Sequence, residues 1–352
     1  MTRKNILILA AVLLLIVLLG VLGMVAIFGA KSPGFDPEAV AALPAVQMDE
    51  EPYTESATEP PIDPMAVFYP EAAPDIQILT EEQLVAEHAV LIDVDNNQML
   101  VSKGDAEDRI YPASMTKLMT LIVAIEHMED PESTFTMTAD ILQPLWADSA
   151  SMAGFQDGET MTFRDLLYGA ALPSGADATS GLAIMTAGSE EAFVELMNEK
   201  VAELGLKNTH FVNASGLHDE AHYSTPTDIA LIMEYCLKNE LCKKVISTYT
   251  YTTTATDQNP NGIELVSTMF NKMYGNEVQG ISILGGKTGY TDEAGQCLAS
   301  YAQTPDGHLY VAVTSRGAGK WSPVFDAFKL YGTITGTYAM DEVQENGEYR
   351  ED

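Results

Sequence analysis

The apolar positions first appear as one unbroken block. From Ile6 to Phe28 runs ILILAAVLLLIVLLGVLGMVAIF, 23 residues without a charge, with Arg3 and Lys4 before it and Lys31 after it. At about 1.5 Å of rise per residue this block crosses a hydrocarbon layer of about 30 Å, whereas the core of a cleaved signal is only about 7 to 15 residues long. Phe28 stands where cleavage would require a small residue ahead of Ala30. The pattern therefore predicts a cytoplasmic leader over 1–5 and an uncleaved transmembrane anchor over 6–28. The two basic residues before the block keep the leader inside, so everything after it is exported and the chain sits in the cell membrane as a single-pass protein. From 29 to 75 the alternation vanishes. Nine of the 17 prolines lie between Lys31 and Pro74, together with many acids and no Lys or Arg after Lys31. Such self-repelling sequence buries too little apolar area to offset its ordering entropy, and reads as an extended linker.

Periodicity begins at residue 76. HAVLIDVDNNQMLVSKG, 88 to 104, carries two alternating runs around Asp95-Asn96-Asn97, which predicts a β-hairpin. MTKLMTLIVAIEHM, 115 to 128, is apolar on nearly every side, as a helix buried inside a domain would be. EEAFVELMNEKVAELG, 190 to 205, has an amphipathic stripe through Phe193, Val194, Met197, Val201 and Leu204, closed by Gly205. Thr225-Pro226-Thr227-Asp228 supplies an N-cap, a proline at the first helical position and an acid in the first turn, opening DIALIMEYCLKN. GQCLASYAQTPDGHLYVAVTS, 295 to 315, is strand, Pro-Asp-Gly turn and strand. Helices lying between terminal strands predict an α+β domain over 76–338, its first and last strands meeting in an antiparallel sheet. An acidic tail follows over 339–352.

Composition narrows the partners. Against 18 Lys and Arg stand 51 Asp and Glu, a net charge of −33, which repels nucleic acid phosphates. Cys236, Cys242 and Cys297 show no Cys-x-x-Cys spacing, which indicates neither a disulfide framework nor a zinc site. If Cys236 and Cys242 share one helix, they stand roughly 9 Å apart, too far to bridge, which would leave structural or free thiols. His218 and His222 are four apart without a His-Glu-x-x-His pattern, and read as loop residues rather than metal ligands. No phosphate loop or dinucleotide fingerprint is present, and no cofactor or metal is expected.

Two short patterns carry chemistry. In RIYPASMTKLMT, Ser114 precedes the buried helix and Lys117 follows at i+3, the spacing that stacks two side chains on one helix face. A helix N-terminus favours developing negative charge, and a lysine walled in by Leu118 and Met119 loses its proton more easily. In GGKTGYTDEAG, Lys287-Thr288-Gly289 opens the C-terminal hairpin and presents a charge, a hydroxyl and room for close backbone approach. Between them lies LPSGADATS, with Ser174.

Ser-x-x-Lys, a serine motif and Lys-Thr-Gly, in that order, resemble the signature of penicillin-binding proteins and serine β-lactamases. YPASMTKLMT, LPSGADAT, FVNASGLHDEAHYSTPTDIALIM and GGKTGYTDEAGQCL are more narrowly similar to the low-molecular-mass D-alanyl-D-alanine carboxypeptidases, over about Ile76 to Tyr331. The resemblance implies the penicillin-recognising fold, a five-stranded antiparallel sheet with flanking helices and a helical subdomain. It implies a serine carboxypeptidase that removes the terminal D-alanine from peptidoglycan stem pentapeptides and is inhibited by β-lactams. Ser114 is implied as nucleophile, Lys117 as general base and Ser174 as proton relay. Lys287, Thr288 and Gly289 are implied in substrate binding, with the backbone N–H groups of Ser114 and Tyr290 as oxyanion hole and Arg316 as a further partner of the carboxylate. Two departures stand out. Ala176 occupies the place of the family's asparagine, and the further β domain and C-terminal amphipathic helix common in the family are not expected here. An asparagine preceded by glutamate four positions earlier, which a class A β-lactamase uses, does not occur between 198 and 276. A penicillin- or muropeptide-binding sensor without turnover, and a D,D-endopeptidase using the same residues, stay open as alternatives.

Overall fold

The first strand forms where the sequence offers almost no apolar signal. In the computed structural model, which describes residues 65–128, 130, 132–273 and 278–337, Glu71–Ile78 is strand β1, with Ala73 its one buried side chain. His88–Asp93 (β2) and Gln98–Lys103 (β3) make the expected hairpin. Asn96 N–H donates to Asp93 Oδ1 at 3.0 Å, and Asn97 takes the left-handed conformation at φ 51°, which asparagine tolerates in turns. β1 runs parallel to β3, with an irregularity between Ala72 and Gln77 that spans Pro74, a residue with no N–H to offer a ladder. Backbone bonds hold it: Glu71 N–H to Asn97 O at 3.0 Å and Leu79 N–H to Ser102 O at 2.8 Å. Just upstream, Met65, Val67 and Tyr69 pack on the core, and the Tyr69 hydroxyl donates to the buried Asp228 carboxylate. Residues 65–75, read from the sequence as the end of the linker, are thus part of the folded unit. The expected leader, the anchor over 6–28, the rest of the linker and the tail lie outside the described residues. Among the described residues no helix is long and apolar enough to cross a membrane.

After a short 3-10 turn at Ala113–Thr116 comes Lys117–His127 (α1), buried from Lys117 to Ala124. Thr134–Thr136 (β4) pairs with Thr160–Thr162 (β5) across Ala139–Ala147 (α2). Phe163–Ala171 (α3) starts in a capping box between Thr162 and Asp165, and Ala176–Ala187 (α4) and the Ser189-capped Glu190–Glu203 (α5) complete the helical part. Pro226–Lys238 (α6) begins where the sequence predicts, with Thr225 Oγ1 accepting Asp228 N–H at 3.0 Å. α6 does not run on to Cys242. Asn239 stops it and caps Glu240–Ile246 (α7), its side chain accepting Leu241 N–H at 3.0 Å and Cys242 N–H at 3.1 Å. The reversal brings the Cα atoms of Cys236 and Cys242 to 5.5 Å, and the two form a disulfide. The condition of a shared helix fails, and with it the expectation of unbridged thiols for this pair; Cys297 is free and buried.

Thr250–Thr252 (β6) and Glu264–Val266 (β7) form a small ladder, followed by Phe270–Met273 (α8). Ser282–Thr291 (β8), Gly295–Gln303 (β9), Leu309–Gly317 (β10) and Ser322–Thr335 (α9) close the domain. The main sheet has the order β1-β3-β2-β10-β9-β8. It is six-stranded and mixed, not the expected five-stranded antiparallel sheet, because β1 adds in parallel outside the five antiparallel strands. Successive residues point to opposite faces. Leu91 and Ala312 meet Val324, Phe328 and Tyr331 of α9, whereas Val90, Ile92 and Val313 join the core shared with α1 and α6. β8 forms one edge of the sheet, and the turn bearing Ser114 lies against it.

Candidate active site

Ser114 is presented by a backbone that its neighbours force into place. Ala113, directly before it, has φ 45°, a left-handed value that costs energy for a residue with a Cβ and persists only where the surroundings impose it. Gly216, at φ 81°, presses on it from one side: a Cβ there would stand 1.9 Å from Ala113 O. Gly289 of β8 presses from the other, a Cβ standing 3.0 Å from Pro112 O and 3.1 Å from Ser114 N. Here the two glycines are needed, since both close approaches are made by bare backbone. Gly289 thereby brings the Lys-Thr-Gly strand onto the Ser114 turn, as the sequence motifs imply.

Lys117, the first residue of α1, lies with Nζ 2.9 Å from Ser114 Oγ and donates to Ser215 O at 2.5 Å. Burial of the amine pushes its pKa down to about 7, against a smaller upward pull from the Asp177 carboxylate. Near neutral pH a large share of this lysine is an unprotonated base beside a serine hydroxyl.

The second wall comes from the segment between α3 and α4. Ser174 is also left-handed, at φ 68°, and its Oγ accepts from Lys287 Nζ at 2.9 Å. Lys287 also donates to Thr288 O at 2.9 Å, and is held well below the usual lysine range by burial and by the neighbouring Lys117 and Lys272. Thr288, mostly buried, has its hydroxyl 2.6 Å from that of Thr268. Ala176 is buried at the first position of α4 and donates its N–H to Ser151 O at 2.7 Å. Tyr290 exposes its ring, and its hydroxyl donates to Asp292 at 2.7 Å. Arg316, at φ 55°, is half-exposed and pairs with Glu87 at 3.2 Å.

Several supporting residues were not singled out from the sequence. Asp177, fully buried, accepts N–H groups from Ala153 at 2.8 Å, Gly154 at 3.0 Å, Phe155 at 3.2 Å and Ala178 at 2.9 Å. Burial raises its pKa and these bonds lower it, with burial the larger effect. An acid inside the small-residue run LPSGADATS was the available signal. Ser215 acts through its carbonyl, which no side-chain pattern reports. Asn213 Oδ1 fixes its loop by accepting Gly216 N–H at 2.7 Å and Ser215 N–H at 3.2 Å. His222 braces the same loop: Nδ1 accepts Val212 N–H at 3.2 Å, which leaves Nε2 as donor to Thr116 Oγ1 at 2.7 Å. Burial pushes the His222 pKa down to about 4, so the ring is neutral. His218 packs edge-on against Tyr111 at 4.6 Å.

A serine and a dry lysine at the head of a buried helix, faced by a serine wall and a Lys-Thr-Gly edge strand, define a protein of the penicillin-recognising serine class. Within that class, the chain belongs to the D-alanyl-D-alanine carboxypeptidase family, whose model matches residues 75–316. It is similar to D-alanyl-D-alanine carboxypeptidase DacF of Bacillus subtilis (strain 168), at 37% identity over 219 residues, 62% of this chain and 54% of that protein. To DacA of Escherichia coli (strain K12) the identity is 33% over 240 residues, 66% of this chain and 56% of that protein. The chain thus spans only about half the length of the curated relatives it matches. Among solved structures, the DD-transpeptidase of Streptomyces K15 superposes with a TM-score of 0.67 at 27% identity, covering 74% of this chain and 100% of that one. Penicillin-binding protein 5 from Haemophilus influenzae gives 0.64 at 26%, covering 73% of each.

Proposed function

We propose that the protein is a serine carboxypeptidase that removes the terminal D-alanine from peptidoglycan stem pentapeptides and is acylated by β-lactams. The observation that carries this reading is the Lys117 amine, dry, lowered to about 7 and 2.9 Å from Ser114 Oγ. Ser114 Oγ attacks the carbonyl carbon of the penultimate D-alanine while its proton passes to Lys117 Nζ. The oxyanion lies between the N–H groups of Ser114 and Tyr290. When the tetrahedral centre collapses, the C–N bond breaks and the departing D-alanine amine takes a proton through Ser174, whose hydroxyl is held by Lys287. Water then attacks the ester carbon and gives a proton to Lys117, which returns it to Ser114 Oγ as the C–O bond breaks and the shortened peptide leaves. Thr288 holds the terminal carboxylate, and the peptide lies along β8 beside Lys287-Thr288-Gly289.

An anchor over Ile6–Phe28 that holds the domain on the outer side of the cell membrane belongs to the same proposal. Its support is a run of 23 uncharged residues flanked by basic ones. One observation favours a second reading: Ala176 removes an amide from the cleft, which suits a sensor that acylates without turnover. Labelling by a fluorescent penicillin, alongside D-alanine release from a pentapeptide, tests both. Labelling and release, both lost in Ser114→Ala, support the carboxypeptidase. Labelling without release supports the sensor, and no labelling of the wild type overturns both.

A further inference from the structure

Thr268 joins the two walls of the cleft. Its backbone N–H donates at 3.0 Å to the carbonyl of Leu172, two residues before Ser174, and its hydroxyl lies 2.6 Å from that of Thr288. The preceding Ser267 is buried and anchored in turn, its N–H donating to Tyr249 O at 2.8 Å. Thr268 itself is half-buried. Its position is therefore set from behind by backbone bonds, while its hydroxyl faces the threonine on β8.

We infer that Thr268 is a positioning residue that fixes the direction of the Thr288 hydroxyl for the substrate's terminal carboxylate; this rests on the carboxypeptidase reading above. The argument is one of donors and acceptors. An ionised carboxylate only accepts hydrogen bonds, and a hydroxyl has a single hydrogen to give. If Thr288 gives its hydrogen to the carboxylate, the 2.6 Å contact is made with Thr268 as donor and the Thr288 oxygen as acceptor. Thr268 then occupies the lone pair that faces it and leaves the Thr288 hydrogen pointing into the cleft. Without this partner the Thr288 hydroxyl rotates freely, and each binding event must first select the right rotor. A rotor held as donor also discriminates. A C-terminal carboxamide offers N–H groups that require an acceptor, and a Thr288 already committed as donor has less to give them.

The test uses the whole protein with a D-Ala-D-Ala pentapeptide and its C-terminal carboxamide, in wild type, Thr268→Val and Thr268→Ser. Valine keeps the shape and deletes the hydroxyl. Expected for Thr268→Val is a KM for the carboxylate peptide about tenfold higher with kcat little changed, because the bond acts on ground and transition states alike. The preference for carboxylate over carboxamide narrows by a similar factor, the melting temperature stays near wild type, and Thr268→Ser restores both KM and preference. An unchanged KM and preference in Thr268→Val, or equal impairment in the valine and serine variants, overturns the inference while wild-type labelling by fluorescent penicillin leaves the parent reading standing. A wild type that takes no penicillin and releases no D-alanine overturns that reading, and this inference with it.

Discussion

Lys117 Nζ donates to the carbonyl oxygen of Ser215 at 2.5 Å. The bond gives the lysine a main-chain acceptor, while Ala176, at the first position of α4, offers the cleft no amide. This carbonyl belongs to a loop that Asn213 fixes by accepting the N–H groups of Ser215 and Gly216, and it orients the amine. A carbonyl can accept from the lysine but, unlike a side-chain amide, has no N–H to give a substrate. Ala176→Asn is expected to raise the rate of D-alanine release by about tenfold, the scale of one active-site hydrogen bond. Steady-state release assays on the two proteins decide it; no gain means that Ser215 alone suffices.

Lys117 titrates at about 7 when folded, against 10.5 for an ordinary lysine. The neutral amine is the working form, so kcat/KM for D-alanine release should rise about tenfold per pH unit below 7 and level off above it. His222, down at about 4, is neutral throughout and adds no second limb in this range. Stability carries the same signature. Between about 7 and 10.5 the unfolded chain binds the proton that folded Lys117 has lost, so this group makes stability rise with pH across that window and adds no slope below it. A pH–rate profile from 5 to 9, with denaturant midpoints of wild type and Lys117→Met at pH 6 and 9, checks both.

Gly216→Ala should slow acylation about 100-fold while leaving most of the fold intact. The new methyl would sit 1.9 Å from Ala113 O, on a backbone at φ 81° that disfavours any Cβ, so the Ser114 turn must move. A displacement near 1 Å at a nucleophile costs about 100-fold in rate. Fluorescent penicillin labelling beside a circular dichroism spectrum separates loss of the turn from loss of the fold.

Breaking the Cys236–Cys242 disulfide should destabilise the domain modestly. The bridge closes a loop with a sequence separation of only 6, for which chain entropy gives about 2 kcal/mol. In a domain of this size that corresponds to roughly 4 to 8 °C in melting temperature. Calorimetry of Cys236→Ser/Cys242→Ser against wild type measures it.

What the sequence made legible was what side-chain type and period encode. α1, α5 and α6 follow from apolar spacing and from the Thr225 and Gly205 signals, and Ser114, Lys117, Ser174 and Lys287 follow from motifs whose order the fold preserves. β1 was invisible because seven of its eight side chains are not buried and its partner is a backbone edge. The disulfide was missed because a side-chain cap at Asn239 ends one helix and starts another within a single residue. Asp177 and Ser215 escaped because their partners are N–H groups and an amine distant in sequence. Arg316 was expected to face a carboxylate; in the structure that carboxylate is the chain's own Glu87.

The parallel strand β1 has a consequence for how the domain meets other polypeptides. An uncovered strand edge is a template on which any extended chain can pair. By lying along β3, β1 covers that edge, and it presents in exchange an outer rim interrupted by Pro74 and out of regular register, a poor template for a newcomer. At the opposite side of the sheet β8, which carries Lys287, Thr288 and Gly289, has no further strand paired to it among the described residues. On the carboxypeptidase reading proposed above, extended peptides would be discouraged at one rim and received at the other, beside Ser114.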